Sequence, residues 1–403
     1  MTLTLLLDLD DTLLSNDIQV FLPAYLQALS KYLSKIVDPS RLVDQLLAAT
    51  KEMVENNQPD RTLEDVFDAS FYPAIGISKA KIQDKIEDFY KTVFPTLQPL
   101  TSPRKEAVQL VDMAKKHGWQ IVIATNPIFP RSAILERLKW ADLPTAKYHF
   151  DLIPSYEEFH FAKPNPAFFS ELLSHLGCPS GPTLMVGNDY FLDIAPAKQI
   201  GLPTYLVSPE NIQKETGANE DHEWQGPLDD LVSSLGQPRT IKNKAEPLTP
   251  EALFSSLRAT PAALSSLIKS IPPQNMNRRP TASDWSFTEI LCHMRDVDRE
   301  VNLPRLEKIL VEENPFLPGV DSDPWAEVRQ YNSQDGFQAL GAFIDARKRI
   351  ISLLEKLPPD GWNRTARHAI FGPTKLIELI GFIVTHDQNH LGQWRQVVEK
   401  LDA

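Results

Sequence analysis

Hydrophobic positions along this chain follow two rhythms, and the change from one to the other divides it. Residues 3–7 form a short, nearly unbroken apolar run that predicts a buried strand. A helical region follows. FLPAYLQALSKYLSKI (21–36) and KIQDKIEDFYKTVF (81–94) place apolar side chains three and four apart, the spacing of an amphipathic helix. Helix and strand then alternate. EAVQLVDMAKKHG (106–118) reads as a helix ending on Gly118, and WQIVIAT (119–125) as a strand. PRSAILERLKWADL (130–143) and residues 166–176 read as helices, with TLMVG (183–187) and PTYLV (203–207) as strands. Apolar strands separated by helices predict a parallel sheet covered on both faces. The expectation is therefore a Rossmann-like α/β core built from residues 1–14 and 100–235, with 15–99 inserted after the first strand as a helical cap.

The pattern lapses over 236–247, a polar, proline-bearing stretch that reads as a linker. Residues 248–403 show no strand signal. Four helical stretches, 250–271, 286–313, 335–357 and 374–401, predict an all-α four-helix bundle. SFTE (286–289) has the capping-box pattern of a helix start. The turn PPDGW (358–362) and the loop 313–325 separate the other helices.

Composition narrows the function classes. A chain of 403 residues is long for one core and suits two or three domains. A net charge of −12 argues against a sequence-independent grip on nucleic acid or an anionic membrane. Two cysteines, Cys178 and Cys292, leave little for a disulfide framework and suit a reducing cytoplasm. The first apolar run breaks at Asp8, so it does not read as a signal peptide, and 376–384 is too short to span a bilayer.

The break at Asp8 is itself a problem in electrostatics. Asp8, Asp10 and Asp11 sit at the tip of a buried strand, where adjacent carboxylates repel by roughly 4 kcal/mol at about 4 Å. Ligands of open parallel sheets bind outside the carboxyl ends of the strands. Thr125 and Asn126 follow a second strand there, and Asn188, Asp189 and Asp193 a third, with Lys163 in the loop FAKPNPAFF. Each residue alone has an ordinary reading as a turn former or cap. Together, each group after its own strand, they form an active-site constellation.

That order resembles the haloacid dehalogenase superfamily over residues 1–235. DLDDTL is similar to its first motif, Asp-x-Asp-x-Thr, at Asp8, Asp10 and Thr12; Thr125, Lys163 and GNDYFLDI resemble the later motifs. The resemblance implies phosphoryl transfer through an aspartyl-phosphate. Asp8 would be the nucleophile and Asp10 the general acid–base. Thr12, Thr125, Asn126 and Lys163 would contact the phosphate. Mg²⁺ would be held by Asp8, Asp10 and the fourth motif, where Asn188, Asp189 and Asp193 are the candidates and the choice between Asn188 and Asp189 stays open. A small phosphorylated metabolite is the implied partner. Dehalogenation is disfavoured because Asp10 is an acid that halide departure does not need.

In the last bundle helix His386 and His390 are four apart and share a face with Leu379 and Ile383, while His293 lies between Ile290 and Val297. Inward imidazoles need partners, and one dication could serve all three. These stretches resemble the DinB-like four-helix-bundle superfamily over 248–403, which implies a Zn²⁺, Ni²⁺ or Fe²⁺ site at His293, His386 and His390. Two rival readings remain at this point. One is a metal-dependent, thiol-using transferase in the bundle beside a degenerate first domain. The other is a bundle that only binds or dimerises.

Overall fold

The computed structural model describes residues 2–208, 224–235, 241 and 248–402. The expected linker, 236–247, lies outside the described residues except for Ile241. The chain forms two compact units. One comprises residues 1–57, 61–169 and 180–245; the other comprises 58–60, 170–179 and 246–403. The short pieces 58–60 and 170–179 thus group with the second unit, which the sequence pattern did not anticipate.

The first unit is built on a five-stranded parallel sheet. Its order is Gln120–Ile123, Thr4–Leu7, Thr183–Gly187, Thr204–Val207 and Trp224–Gly226. Thr4, Leu5, Leu6 and Leu7 are wholly buried, which is why this central strand reads as a continuous apolar run. Burying each leucine contributes about 1.5–3 kcal/mol. The pairing runs one residue further, because Asp8 N–H donates to the Val186 carbonyl at 2.9 Å. Asp8 is thereby fixed at the strand tip. The chain then turns tightly, with Asp11 at φ +55° and its N–H donating to the Leu14 carbonyl.

The helical insert leaves and returns through one short antiparallel pair, Leu14–Asn16 with Thr101–Pro103. Its helices are Ile18–Leu33, Pro39–Val54, Leu63–Ile75 and Lys79–Thr92. Asp17 and Asp38 cap the first two, and Thr62 with Asp65 forms a full capping box on the third. The helix Lys105–His117 ends, as expected, on Gly118 in the left-handed region.

The second unit contains the expected long helices Pro250–Leu267, Gly336–Leu354 and Leu376–Asp402. The remaining one is broken into Phe287–Val297, a π turn Asp298–Asn302, and Leu303–Val311. Pro304 has no N–H to continue the α ladder, which accounts for the interruption there. Ser286 and Glu289 form the predicted capping box.

The helical second unit carries one addition that the sequence pattern did not signal. Besides the expected helices, Phe316–Leu317, Thr365–His368 and Gly372–Lys375 form a small sheet. Thr365–His368 does alternate exposed and buried, but Ala366 and His368 carry the buried positions. Neither is the β-branched residue that marks a strand in sequence. Gly372, at φ +73°, supplies the hairpin's left-handed turn residue.

The π turn begins at Asp298, which belongs to a buried ionic cluster. Asp298 and Asp387 both face Arg347, and all three are buried. Arg347 Nε donates to Asp298 Oδ2 at 2.8 Å, and Nη1 and Nη2 donate to Asp387 at 2.5 and 3.0 Å. Breaking such a cluster on one side leaves buried carboxylates unpaired, at a cost of about 3–5 kcal/mol. Arg347→Ala should lose stability in that range, read from its urea midpoint. A loss under about 1 kcal/mol would show that the cluster contributes little. Among the described residues, no helix is long and apolar enough to cross a membrane.

Candidate active site and metal centre

At the carboxyl edge of the sheet, Lys163 brings together two acids from different strands' ends. Its buried Nζ donates to Asp8 Oδ1 at 2.8 Å and to Asp193 Oδ1 at 2.5 Å. Lys163 is itself anchored, because its N–H donates to Asn126 Oδ1 at 3.1 Å. Asp193 Oδ2 accepts from Asp189 N–H at 3.0 Å. Gly187 is required beside it: a Cβ there would lie 2.3 Å from Asp193 Oδ2.

Two buried carboxylates share one ammonium, so this pit lacks positive charge. Burial, and then the Asp193 charge, push the Asp8 carboxyl up to about 7, against the opposing pull of Lys163. The two acids in turn hold the Lys163 ammonium above its ordinary value despite its burial. A hard dication with oxygen ligands fits such a donor set. Asp189 helps decide which fourth-motif oxygens are free. Its Oδ1 accepts from Phe191 and Leu192 N–H at 2.7 and 2.9 Å, capping the turn Tyr190–Ile194, so its Oδ2 remains available. Asn188 Oδ1 accepts from Thr12 at 3.1 Å. Asp193, expected as a metal ligand, instead directs both oxygens to Lys163 and Asp189.

Thr12 also departs from expectation. It is wholly buried, and its hydroxyl supports Asn188 rather than facing a phosphate. Asp8, Asp10, Thr125, Asn126, Lys163, Asn188, Asp189 and Asp193 do line one cavity of about 430 Å³, reaching from the acids into the helical insert.

Sequence reasoning missed Arg137. It is 3% exposed, and its Nη1 donates to Asp10 Oδ2 at 2.5 Å. Asn16 Nδ2 donates to the other Asp10 oxygen at 2.8 Å. The guanidinium lies 4.7 Å over the Phe129 ring. A signal was present: Ile134, Arg137 and Leu138 share the buried face of the helix Arg131–Trp140. A cation at a core-facing helical position marks an internal ion pair.

In the second unit the three expected histidines converge. His386 Nε2 lies 3.1 Å from His293 Nε2 and 3.2 Å from His390 Nε2. Their ligand atoms all fall within 4.8 Å of one another. Gln393 Oε1 holds His390 Nδ1 at 2.9 Å, and the Trp285 ring stacks on His390. Burial chiefly lowers His293 to about 3 and His390 to about 4, so both are neutral and able to ligate at pH 7. His293 Nδ1 is buried without a hydrogen-bond partner. Three imidazoles presenting Nε2 to one point suit a transition-metal ion.

Comparison with known proteins finds a separate family for each part of the chain. Residues 2–201 match the haloacid dehalogenase-like hydrolase family and residues 256–394 the DinB superfamily. A protein of Oceanobacillus iheyensis whose name places it among metal-dependent hydrolases is 26% identical over 45% of this chain and 87% of its own length. The glyceraldehyde 3-phosphate phosphatase of Methanothermobacter thermautotrophicus is 28% identical over 38% of this chain, which spans 62% of that enzyme. Among solved structures, a HAD phosphatase from Thermococcus onnurineus is 18% identical with a TM-score of 0.39, covering 60% of this chain and all of that one. The four-helix-bundle protein YfiT of Bacillus subtilis is 18% identical with a TM-score of 0.36, covering 40% of this chain and 94% of that one.

The lowered imidazoles make stability depend on pH with a definite sign. Unfolded histidines bind protons below about 6.5, whereas folded His390 and His293 resist until about 4 and 3. Their contribution is complete above pH 6.5 and is lost as pH falls through the folded values. The urea midpoint should therefore fall between pH 7.5 and 4.5, less steeply in His390→Gln. Equal slopes would remove His390 as a source.

Proposed function

We propose that this chain, which joins a haloacid dehalogenase-like hydrolase domain (residues 2–201) to a DinB superfamily domain (256–394), hydrolyses a small phosphate monoester in the first domain. The observation that carries this reading is the Asp8–Lys163–Asp193 assembly opening on a cavity beside Asp10 and Thr125. Asp8 Oδ1 is held by Lys163, which leaves Oδ2 to attack phosphorus. A P–O bond forms to Asp8 as the ester P–O bond breaks, and Asp10 gives its proton to the departing alkoxide. Water then attacks the aspartyl-phosphate, Asp10 takes a proton from it, and phosphate leaves with Asp8 restored. Arg137 and Asn16 each donate to one Asp10 oxygen and so hold the carboxyl in place, with a lone pair on each oxygen left for the proton. Lys163 and Thr125 donate to phosphoryl oxygens as charge builds on them.

Mg²⁺ bound in this pit would neutralise the acids and the phosphoryl charge. Asp8, the Asp10 carbonyl and Asp189 would hold it, with Asn188 alongside. Asp193 acts as a positioning residue that fixes Lys163.

The imidazole cluster supports a second, separate metal centre. His293, His386 and His390 would bind Zn²⁺, Ni²⁺ or Fe²⁺, leaving room for water, and Mg²⁺ would compete poorly for imidazole nitrogen.

Two experiments test these assignments. With p-nitrophenyl phosphate and Mg²⁺, Asp8→Asn should lose turnover on the order of 10⁴-fold or more. Asp189→Asn should raise the Mg²⁺ requirement about tenfold or more, and Asn188→Ala by much less. Full activity in Asp8→Asn would overturn the mechanism, and the reverse ranking would assign the ligand to Asn188. In the second experiment, elemental analysis of the full chain should find about one transition-metal ion, absent from His390→Ala. A wild-type protein that takes up neither Zn²⁺ nor Ni²⁺ would make the cluster structural.

A further inference from the structure

We infer that the alcohol portion of the substrate is an apolar aryl or alkyl group rather than a polyol, because of what lines the chamber in which it would sit. The inference rests on the phosphatase reading for the identity of the phosphoryl end. The cavity of about 430 Å³ has an acidic end and an apolar end. Its volume lies in the range of about 300–1,000 Å³ typical of small-molecule sites. Away from the acids it is walled mainly by the insert, with Leu22, Leu26, Leu29, Leu46, Phe67 and Phe71 among its lining.

What the wall offers a hydroxyl decides the substrate class. Tyr25 and Tyr90 also line this chamber, but their hydroxyls bond each other at 2.8 Å. Burial pushes the Tyr25 phenol up to about 12, so it stays neutral. The Thr50 hydroxyl donates to the Leu46 carbonyl, one turn back in its own helix. Tyr72 and Tyr156 add two further hydroxyls. The lining contains two cations, Lys163 and Arg137, and both are tied to the acids.

Arg137 Nε and Nη2 and Asn16 Oδ1 are buried without hydrogen-bond partners. All three belong to side chains bonded to Asp10, which ties them to the acidic end of the cavity. A polyol phosphate would bring several hydroxyls into a chamber with few partners for them. Each one buried unpaired lowers affinity by about tenfold or more. An alkyl or aryl group loses no hydrogen bonds there, and each methylene removed from water improves binding by about fourfold.

The test uses the full chain with Mg²⁺ and has two arms. The first measures kcat/KM for ethyl, butyl, hexyl and octyl phosphate, 1-naphthyl phosphate, glycerol 3-phosphate and glucose 6-phosphate. It should rise about fourfold per methylene, chiefly through KM, until the chamber fills. The two polyol phosphates should fall about 100-fold or more below octyl phosphate. Leu46→Gln and Leu26→Gln should flatten the chain-length dependence. The second arm measures Kd for the matching alkylphosphonates, which have no ester bond to break.

A rising phosphonate affinity with no hydrolysis of any ester would sink the phosphatase reading and leave the chamber's role standing. Phosphonate affinity independent of chain length, or preference for the polyol phosphates, would overturn the inference. Because the phosphonate series uses the wild-type protein, it decides the matter even if a leucine variant does not fold.

Discussion

The first domain depends on one buried ammonium. Lys163 is 2% exposed and is held between Asp8 and Asp193. Without it, two carboxylates would face each other away from water, and a buried charge left unpaired costs several kcal/mol. With it, a chain of dependences follows. Asp193 is fixed by Lys163 and receives the Asp189 N–H; Asp189 caps the next turn; Gly187 must lack a Cβ to admit Asp193. The same contact leaves one oxygen of Asp8 uncommitted. Structural support and reactivity are two consequences of one interaction.

Arg347 in the second unit makes a useful contrast. It too lies between two buried acids, but it is a planar fork with five donors rather than a point charge. Its hydrogen bonds reach all four carboxylate oxygens of Asp298 and Asp387. Nothing in that cluster is left to react. The neighbouring imidazoles differ, because their ring nitrogens converge on one another rather than on a cation.

Much of this was legible in the sequence where one residue type forces one environment. A continuous apolar run ending in acids identified the strand tip at Asp8, and the four-residue spacing of His386 and His390 placed them on one helix face. What was hidden depends on three-dimensional pairing. Thr12 fits its motif, yet the fold gives its hydroxyl to Asn188. Asp193 reads as a ligand in sequence, and the fold shows its oxygens accepting from Lys163 and the Asp189 N–H. Arg137 looked like one more basic residue in ERLKW, although its spacing from Ile134 already put it on the buried face. The short strand Thr365–His368 escaped because alanine and histidine occupy its inward positions.

The central claim is that Asp8 carries the phosphoryl group during turnover. The most direct measurement is acid quenching of the full chain during steady-state hydrolysis of an aryl phosphate, followed by peptide mass analysis. The account predicts a phosphoryl group on the peptide containing Asp8, discharged when substrate is exhausted. Continued turnover with the phosphoryl group on another residue would contradict it.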